Sequence, residues 1–256
     1  MADPLEAAPG VFVFTSALYA TTTTVITGPG GGCLVVDPAI HPADLSKLAA
    51  WLTARGLRPA AGWSTHPHWD HVLWSAGLGA DVPRYSTPVA ADGAARRRDT
   101  MFAQAEAEAP GHDPSLFGRL TAWTPDTLAW DGPGARVIAH DAHERGHGAL
   151  FFPETGVLIA GDMLSDVEIP LVDTESEDPF GTYREGLGTL AGLAGVRVVV
   201  PGHGHPGDGA EFRARAGADL AYLDAVEAGA PVTDERLADT WVRQEHLKQA
   251  PLAHER

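Results

Sequence analysis

Thr65-His66-Pro67-His68-Trp69-Asp70-His71 decides the reading of this chain. Three imidazoles and one carboxylate fall between His66 and His71. Imidazole suits zinc, copper, iron and nickel, and a carboxylate adds a hard anionic ligand. Packing does not account for so dense a polar cluster, because His and Asp are seldom buried without partners. The preceding Ala61-Gly62-Trp63-Ser64 reads as the end of a strand, and the following Val72-Leu73-Trp74-Ser75-Ala76 as the opening of a helix. A turn at a strand end can point His66 and His68 to one side and Asp70 and His71 to the other. That makes two neighbouring half-sites, the start of a dinuclear centre.

The chain around this motif has 256 residues, 44% of them apolar and 20% charged, an ordinary globular mixture. Its length fits one large core over 1–256, with strands and helices recurring on each side of residue 125 and two C-terminal helices over 210–249. The net charge of −16 and the pI near 5.0 oppose binding to phosphate backbones, so no nucleic-acid partner is expected. Cys33 is the only cysteine, which excludes an intrachain disulfide. The sequence shows no signal-peptide pattern at its start and no apolar run of about 18 residues, so a cytoplasmic protein without a membrane partner is expected.

β-branched and aromatic runs predict strands over 11–14 and 21–27, joined across a glycine turn to a buried strand over 33–37. Further strands are expected over 60–64, 82–86, 127–130, 135–140, 149–153, 156–160 and 196–200. Apolar spacing and punctuation predict helices over 42–55, 88–108, 183–193, 210–228 and 233–249. Arg96-Arg97-Arg98 reads as a solvated helix face, and Phe117, Leu120 and Trp123 as either pocket lining or core. Alternating strands and helices give an α/β layered fold.

More candidate ligands stand where these strands end: His143 and His147 after the strand to 140, Asp162 after Gly161, and His203 in Pro201-Gly202-His203-Gly204-His205. Asp37 also ends a strand, either as support for the site or as a turn residue before Pro38.

This ordered set resembles the metallo-β-lactamase-fold superfamily. His66-Pro-His68-Trp-Asp70-His71 looks like its H-x-H-x-D-H signature. His143, Asp162 and His203 match the later His, the Asp after Gly, and the His of a P-G-H-G-like stretch. The resemblance implies a four-layer αββα sandwich of two mixed sheets flanked by helices. It implies one metal on His66, His68 and His143, a second on Asp70, His71 and His203, and Asp162 bridging them. His147 and His205 would support these ligands. The two divalent ions would be zinc, with iron or manganese as alternatives.

Two departures stand out. Relatives such as glyoxalase II continue D-H-x-G-G, whereas this chain has Leu73 and Trp74 in place of the two glycines. The P-G-H-T-P-G-H stretch becomes Asp141-Ala142-His143-Glu144-Arg145-Gly146-His147. Asp162 separates the chain from true β-lactamases, where Cys or Ser occupies that place.

The implied chemistry is hydrolysis of a small-molecule carboxylic ester, lactone or thioester by a hydroxide shared between the metals, with Asp70 orienting it. Trp69, Leu73 and Trp74 read either as a rim for an apolar portion of the substrate or, one or more of them, as packing under the first helix, and Tyr183 is a candidate oxyanion donor or a buried helix residue. A homodimer is compatible with the sequence. The rival readings are a mononuclear iron dioxygenase of the persulfide type and a binding protein with a vestigial site. A nuclease of this fold is opposed by the acidic pI.

Overall fold

The computed structural model describes residues 3–254. A first set of elements runs Leu5–Ala8 (β1), Val11–Thr15 (β2), Thr22–Thr27 (β3), Gly32–Val36 (β4), Pro42–Ala54 (α1), Arg58–Trp63 (β5), Arg84–Ser86 (β6), Pro88–Glu108 (α2) and Thr121–Ala122 (β7). A second runs Thr127–Leu128 (β8), Ala135–His140 (β9), His147–Phe152 (β10), Val157–Gly161 (β11), Pro179–Ala191 (α3), Val198–Pro201 (β12), Gly207–Asp208 (β13), Gly209–Glu227 (α4) and Thr240–Gln249 (α5). Strands β1 to β7 form one sheet in chain order, and β13-β12-β11-β10-β9-β8 form the other. Both sheets are mixed: β4 and β5 pair in parallel beside antiparallel neighbours, as do β11 and β12.

The strand period of two explains the layers. Leu34 and Val36 of β4 face Leu150, Phe152, Val157 and Ile159 of the other sheet. The alternate Cys33 and Val35 face Leu45, Leu48 and Leu52 of α1. On the far side, Phe151, Leu158 and Val199 pack under Leu187 and Leu190 of α3 and Phe212 and Leu223 of α4. With α2 packed over Ile40, Val72 and Phe117, the order is helix, sheet, sheet, helix. Strands covered on both faces read as continuous apolar runs, as Cys33 to Val36 does.

Several expectations shift. No helix opens at Val72. That segment is a non-helical connection in which neighbouring side chains go to different clusters: Leu73 into the one under α2, and Trp74 into the one under α1. Both are 2% exposed, which removes them from the rim of the site. Tyr183 is also core, on the inner face of α3, and burial pushes its hydroxyl well above its usual range. α3 begins at Pro179 rather than 183, because the Asp178 carboxylate accepts from Gly181 N at 2.8 Å and Pro sets the first turn. The expected helix over 233–249 splits into a short 3₁₀ turn and α5, whose start is capped by Asp239. Among the described residues no helix is long and apolar enough to cross a membrane.

Truncating Trp74 to Ala should therefore act on stability. Urea unfolding should show a loss of about 3–5 kcal/mol, the range for an aromatic core residue. A loss below about 1 kcal/mol would contradict its place in the core.

Candidate metal centre

The motif loop leaves β5 at Trp63, whose indole N–H donates to Gly148 O at 2.8 Å. Gly148 N in turn donates to Thr65 O at 2.7 Å, which joins the two sheets beside the motif. A side chain at 148 would meet Thr87 Cγ2 at 2.7 Å, so only glycine permits this approach. Ser64 Oγ closes the loop by donating to His71 O at 2.8 Å.

The other candidates arrive from strand ends. Asp162 follows Gly161, which has φ +57. A Cβ on Gly202 would lie 1.9 Å from Asp162 Oδ1. His203 sits in a loop stitched to β3 by Thr22 N donating to Gly202 O at 2.7 Å, with Gly204 N donating to Ala20 O at 3.0 Å.

Seven ligand-type side chains converge in two groups: His66, His68, His143 and Asp162, and Asp70, His71 and His203. In the first, His68 Nδ1 lies 3.0 Å from His66 Nε2 and 3.2 Å from His143 Nε2. In the second, Asp70 Oδ2 lies 3.4 Å from both His71 Nε2 and His203 Nε2, which are themselves 3.4 Å apart. Asp162 touches both groups: Oδ2 is 3.4 Å from His66 Nε2 and His143 Nε2 and 3.3 Å from His203 Nε2, and Oδ1 is 3.2 Å from His71 Nε2. Nitrogen ligands about 2.0–2.1 Å from a tetrahedral zinc stand about 3.3–3.4 Å apart, so the spacing fits. Asp162 Oδ1 is buried and accepts no hydrogen bond, which suits a carboxylate waiting for a cation.

Each histidine is also held from behind. His66 Nδ1 is 3.0 Å from Thr65 Oγ1, which itself donates to Asp37 Oδ2 at 2.7 Å. His71 Nδ1 lies 3.1 Å from the same Asp37 oxygen. His68 Nε2 donates to Glu144 Oε2 at 3.0 Å, and Arg97 donates to Glu144 Oε1 at 2.7 Å. His143 Nδ1 donates to Leu171 O at 2.8 Å, and His203 Nδ1 to Tyr19 O at 2.9 Å. Fixing one ring nitrogen as donor leaves the other as a lone pair aimed into the site.

The two groups differ in charge. Burial pushes His66 well below its usual range and His143 down to about 4, so these rings are neutral at pH 7. Burial also opposes the charge on His203, but the Asp162 and Glu168 carboxylates outweigh it and push the ring up to about 10. His71 is raised in the same way by Asp162, Asp70 and Asp37. Burial would raise Glu144, but His68 and Arg97 bring it down to about 2.

The remaining expected residues fall as follows. Asp37 is both a turn residue, at φ 46, and the anchor of Thr65 and His71. His147 stacks between His66 (ring centroids 5.0 Å apart) and His140 (4.5 Å), backing the His66 ring. His205 turns away: its side chain is 64% exposed and pairs with Asp166 at 2.9 Å. Trp69 is half-buried beside a cavity of about 360 Å³ that Pro67, His68, Asp70 and Arg97 also line. Sequence reading missed Glu144, Thr65, Tyr19 and Glu168. Glu144 had a signal, an acid beside His143 in the altered stretch, whereas Tyr19 and Glu168 reach the site only through the tertiary fold.

The fold and this site define an α/β sandwich of the metallo-β-lactamase type with two clustered groups of ligand-type side chains. The chain belongs to the metallo-β-lactamase superfamily, whose family model matches residues 17–203. A hydroxyacylglutathione hydrolase of Synechococcus sp. (strain JA-3-3Ab) is 35% identical over 130 residues, which are 51% of this chain and 43% of that relative. The chain thus spans less than half the length of that relative. Among solved structures, a β-lactamase domain protein from Burkholderia ambifaria aligns with a TM-score of 0.68 at 23% identity, over 88% of this chain and 78% of that one. A protein named TTHA1623, solved in a di-iron-bound form, aligns with a TM-score of 0.61 at 26% identity, over 77% and 94%.

Two outcomes follow from the anchoring and the charges. Glu144→Gln should weaken metal binding by about 10–100-fold in a chelator competition, the usual effect of losing a ligand's partner. In metal-stripped protein, His203 contributes stability that is full below its ordinary pKa of 6.5 and is lost as pH rises through about 10. Thermal scans of stripped protein should show Tm falling across that interval, with a flatter profile in His203→Gln. Parallel profiles would contradict the assignment.

Proposed function

We propose that this chain is a dinuclear metal-dependent hydrolase of small-molecule thioesters, with carboxylic esters and lactones open to the same chemistry. The observation that carries the reading is the pair of ligand groups joined through Asp162. Family membership supports it, as does the match to a hydroxyacylglutathione hydrolase. His66, His68 and His143 would hold one cation, Asp70, His71 and His203 the other, and Asp162 would be shared. Zinc is the proposed metal, with iron the alternative because TTHA1623 was solved with two irons. Such cations lower the pKa of water to about 7 and draw electron density from a carbonyl.

The chain's own residues do the rest. Asp70 accepts the proton of the attacking water and holds its lone pair toward the acyl carbon. The carbon–sulfur bond breaks, the acyl group keeps the water oxygen, and the thiol leaves with a proton. The histidine anchors keep the ligand geometry fixed, so no reorganisation is needed as charge develops on the carbonyl oxygen. His71 and His203 must lose their protons for the second group to bind metal, so activity at limiting metal should rise with pH.

Zinc-loaded protein should hydrolyse acyl thioesters in a thiol-release assay. Asp162→Asn should cut kcat/KM by more than about 100-fold, beyond the range of residues that only support a ligand. Full turnover in Asp162→Asn with both metals retained would overturn the shared role of this residue.

A further inference from the structure

A second cavity, of about 520 Å³, is lined by residues that flank His203 rather than by the motif loop. Tyr19, Val167, Trp241 and Val242 give it apolar lining, and the buried Glu168 lines it as well. It adjoins the metal centre: the Glu168 carboxylate is 3.9 Å from His203 Nδ1, and Tyr19 O is the acceptor that anchors the same nitrogen. The aromatic rings form a row along the rim. Tyr19 lies 6.4 Å from Trp69 and 6.5 Å from Trp241, centroid to centroid.

These rings sit in water when the cavity is empty. Tyr19 is 41% exposed and Trp241 42%, two of the few large apolar side chains left on the surface. Neither is there by looseness. Tyr19 and Ala20 both adopt left-handed backbone conformations, with φ 57 and 50, which non-glycine residues hold only under restraint. The Tyr19 hydroxyl donates to Glu108 at 3.1 Å. Trp241 stands at the first turn of α5, where the Asp239 carboxylate accepts from its backbone N–H at 2.8 Å. An exposed, fixed aromatic pair beside a reactive centre marks a binding surface.

The charges around it select the ligand. Glu168, Glu235 and Asp239 supply carboxylates. Arg236 is the one cation lining the cavity among the described residues, and it is committed elsewhere. It donates through Nη1 to Asp219 at 2.7 Å and Glu168 O at 2.7 Å, and through Nε and Nη2 to Asp234 at 3.0 and 2.8 Å. An anionic group entering here meets carboxylates and no free counter-charge.

We propose that the Tyr19–Trp241 cavity is a substrate subsite for an uncharged apolar arm, and that it disfavours thioesters carrying carboxylates, such as those of glutathione. This deepens the hydrolase reading and rests on it for the reactive end of the substrate.

The test uses the metal-loaded protein and two ladders of neutral thioesters, one lengthened on the acyl side and one on the thiol side. kcat/KM should climb by about two- to fourfold per methylene along at least one ladder. The ratio of longest to shortest substrate should fall at least about tenfold in Trp241→Ala, the loss expected when an aromatic wall is removed. Glu235→Lys, on the exposed rim, should narrow the gap between neutral and glutathione thioesters of matched acyl group. Flat ladders, or an unchanged ratio in Trp241→Ala, would overturn the subsite. A binding readout is independent of turnover: calorimetry should show octanamide binding more tightly than propanamide, with the difference lost in Trp241→Ala. Should no thioester or ester be hydrolysed, the hydrolase reading fails and this titration alone decides the subsite. Absence of octanamide binding would then refute it.

Discussion

Asp162 presents one buried carboxylate to ring nitrogens of His66, His71, His143 and His203 at 3.2–3.4 Å, and the rest of the fold is arranged to keep it there. A buried carboxylate without compensation is expensive, and several imidazoles packed against one another offer little hydrogen bonding in return. A divalent cation in each group would resolve both problems by taking the facing lone pairs as ligands. The glycines at 161 and 202 belong to the same constraint, because a side chain at 202 would displace the carboxylate and one at 161 would strike His147.

The site is built from both sheets. β4 and β5 deliver Asp37 and the motif loop, β9 delivers His143, β11 delivers Asp162 and β12 delivers His203. The contacts that hold these ends together are backbone pairs across the sheets, Gly148 to Thr65 and Thr22 to Gly202. Function and stability therefore share the same few bonds. The surroundings then divide the labour: Glu144 and Arg97 brace one group, Tyr19 and Glu168 flank the other, and the C-terminal segment brings Trp241 to the rim.

Much of this was legible in the chain. The ligand-type side chains, their order and their strand-end positions were readable because a strand's end is marked by a break in the apolar run, as at Val36-Asp37 and Ala160-Gly161-Asp162. The layered fold followed from the alternation of strands and helices, and an unbroken apolar run such as Cys33 to Val36 marked a strand buried on both faces. What failed was direction. Leu73 and Trp74 follow the motif and are apolar, so they read as rim. The connection instead sends one under α2 and the other under α1. Tyr19 and Trp241 were illegible as partners because 222 positions separate them and only the tertiary fold pairs their rings. Glu144 was readable as an acid beside a ligand, but its target, His68, lies 76 residues away.

Metal analysis of protein purified without chelator or immobilised nickel tests the central claim most directly. The account predicts two divalent ions per chain, zinc above all, falling to at most one when Asp162 is replaced. A single iron that Asp162 replacement leaves in place, or no metal after reconstitution, would contradict it.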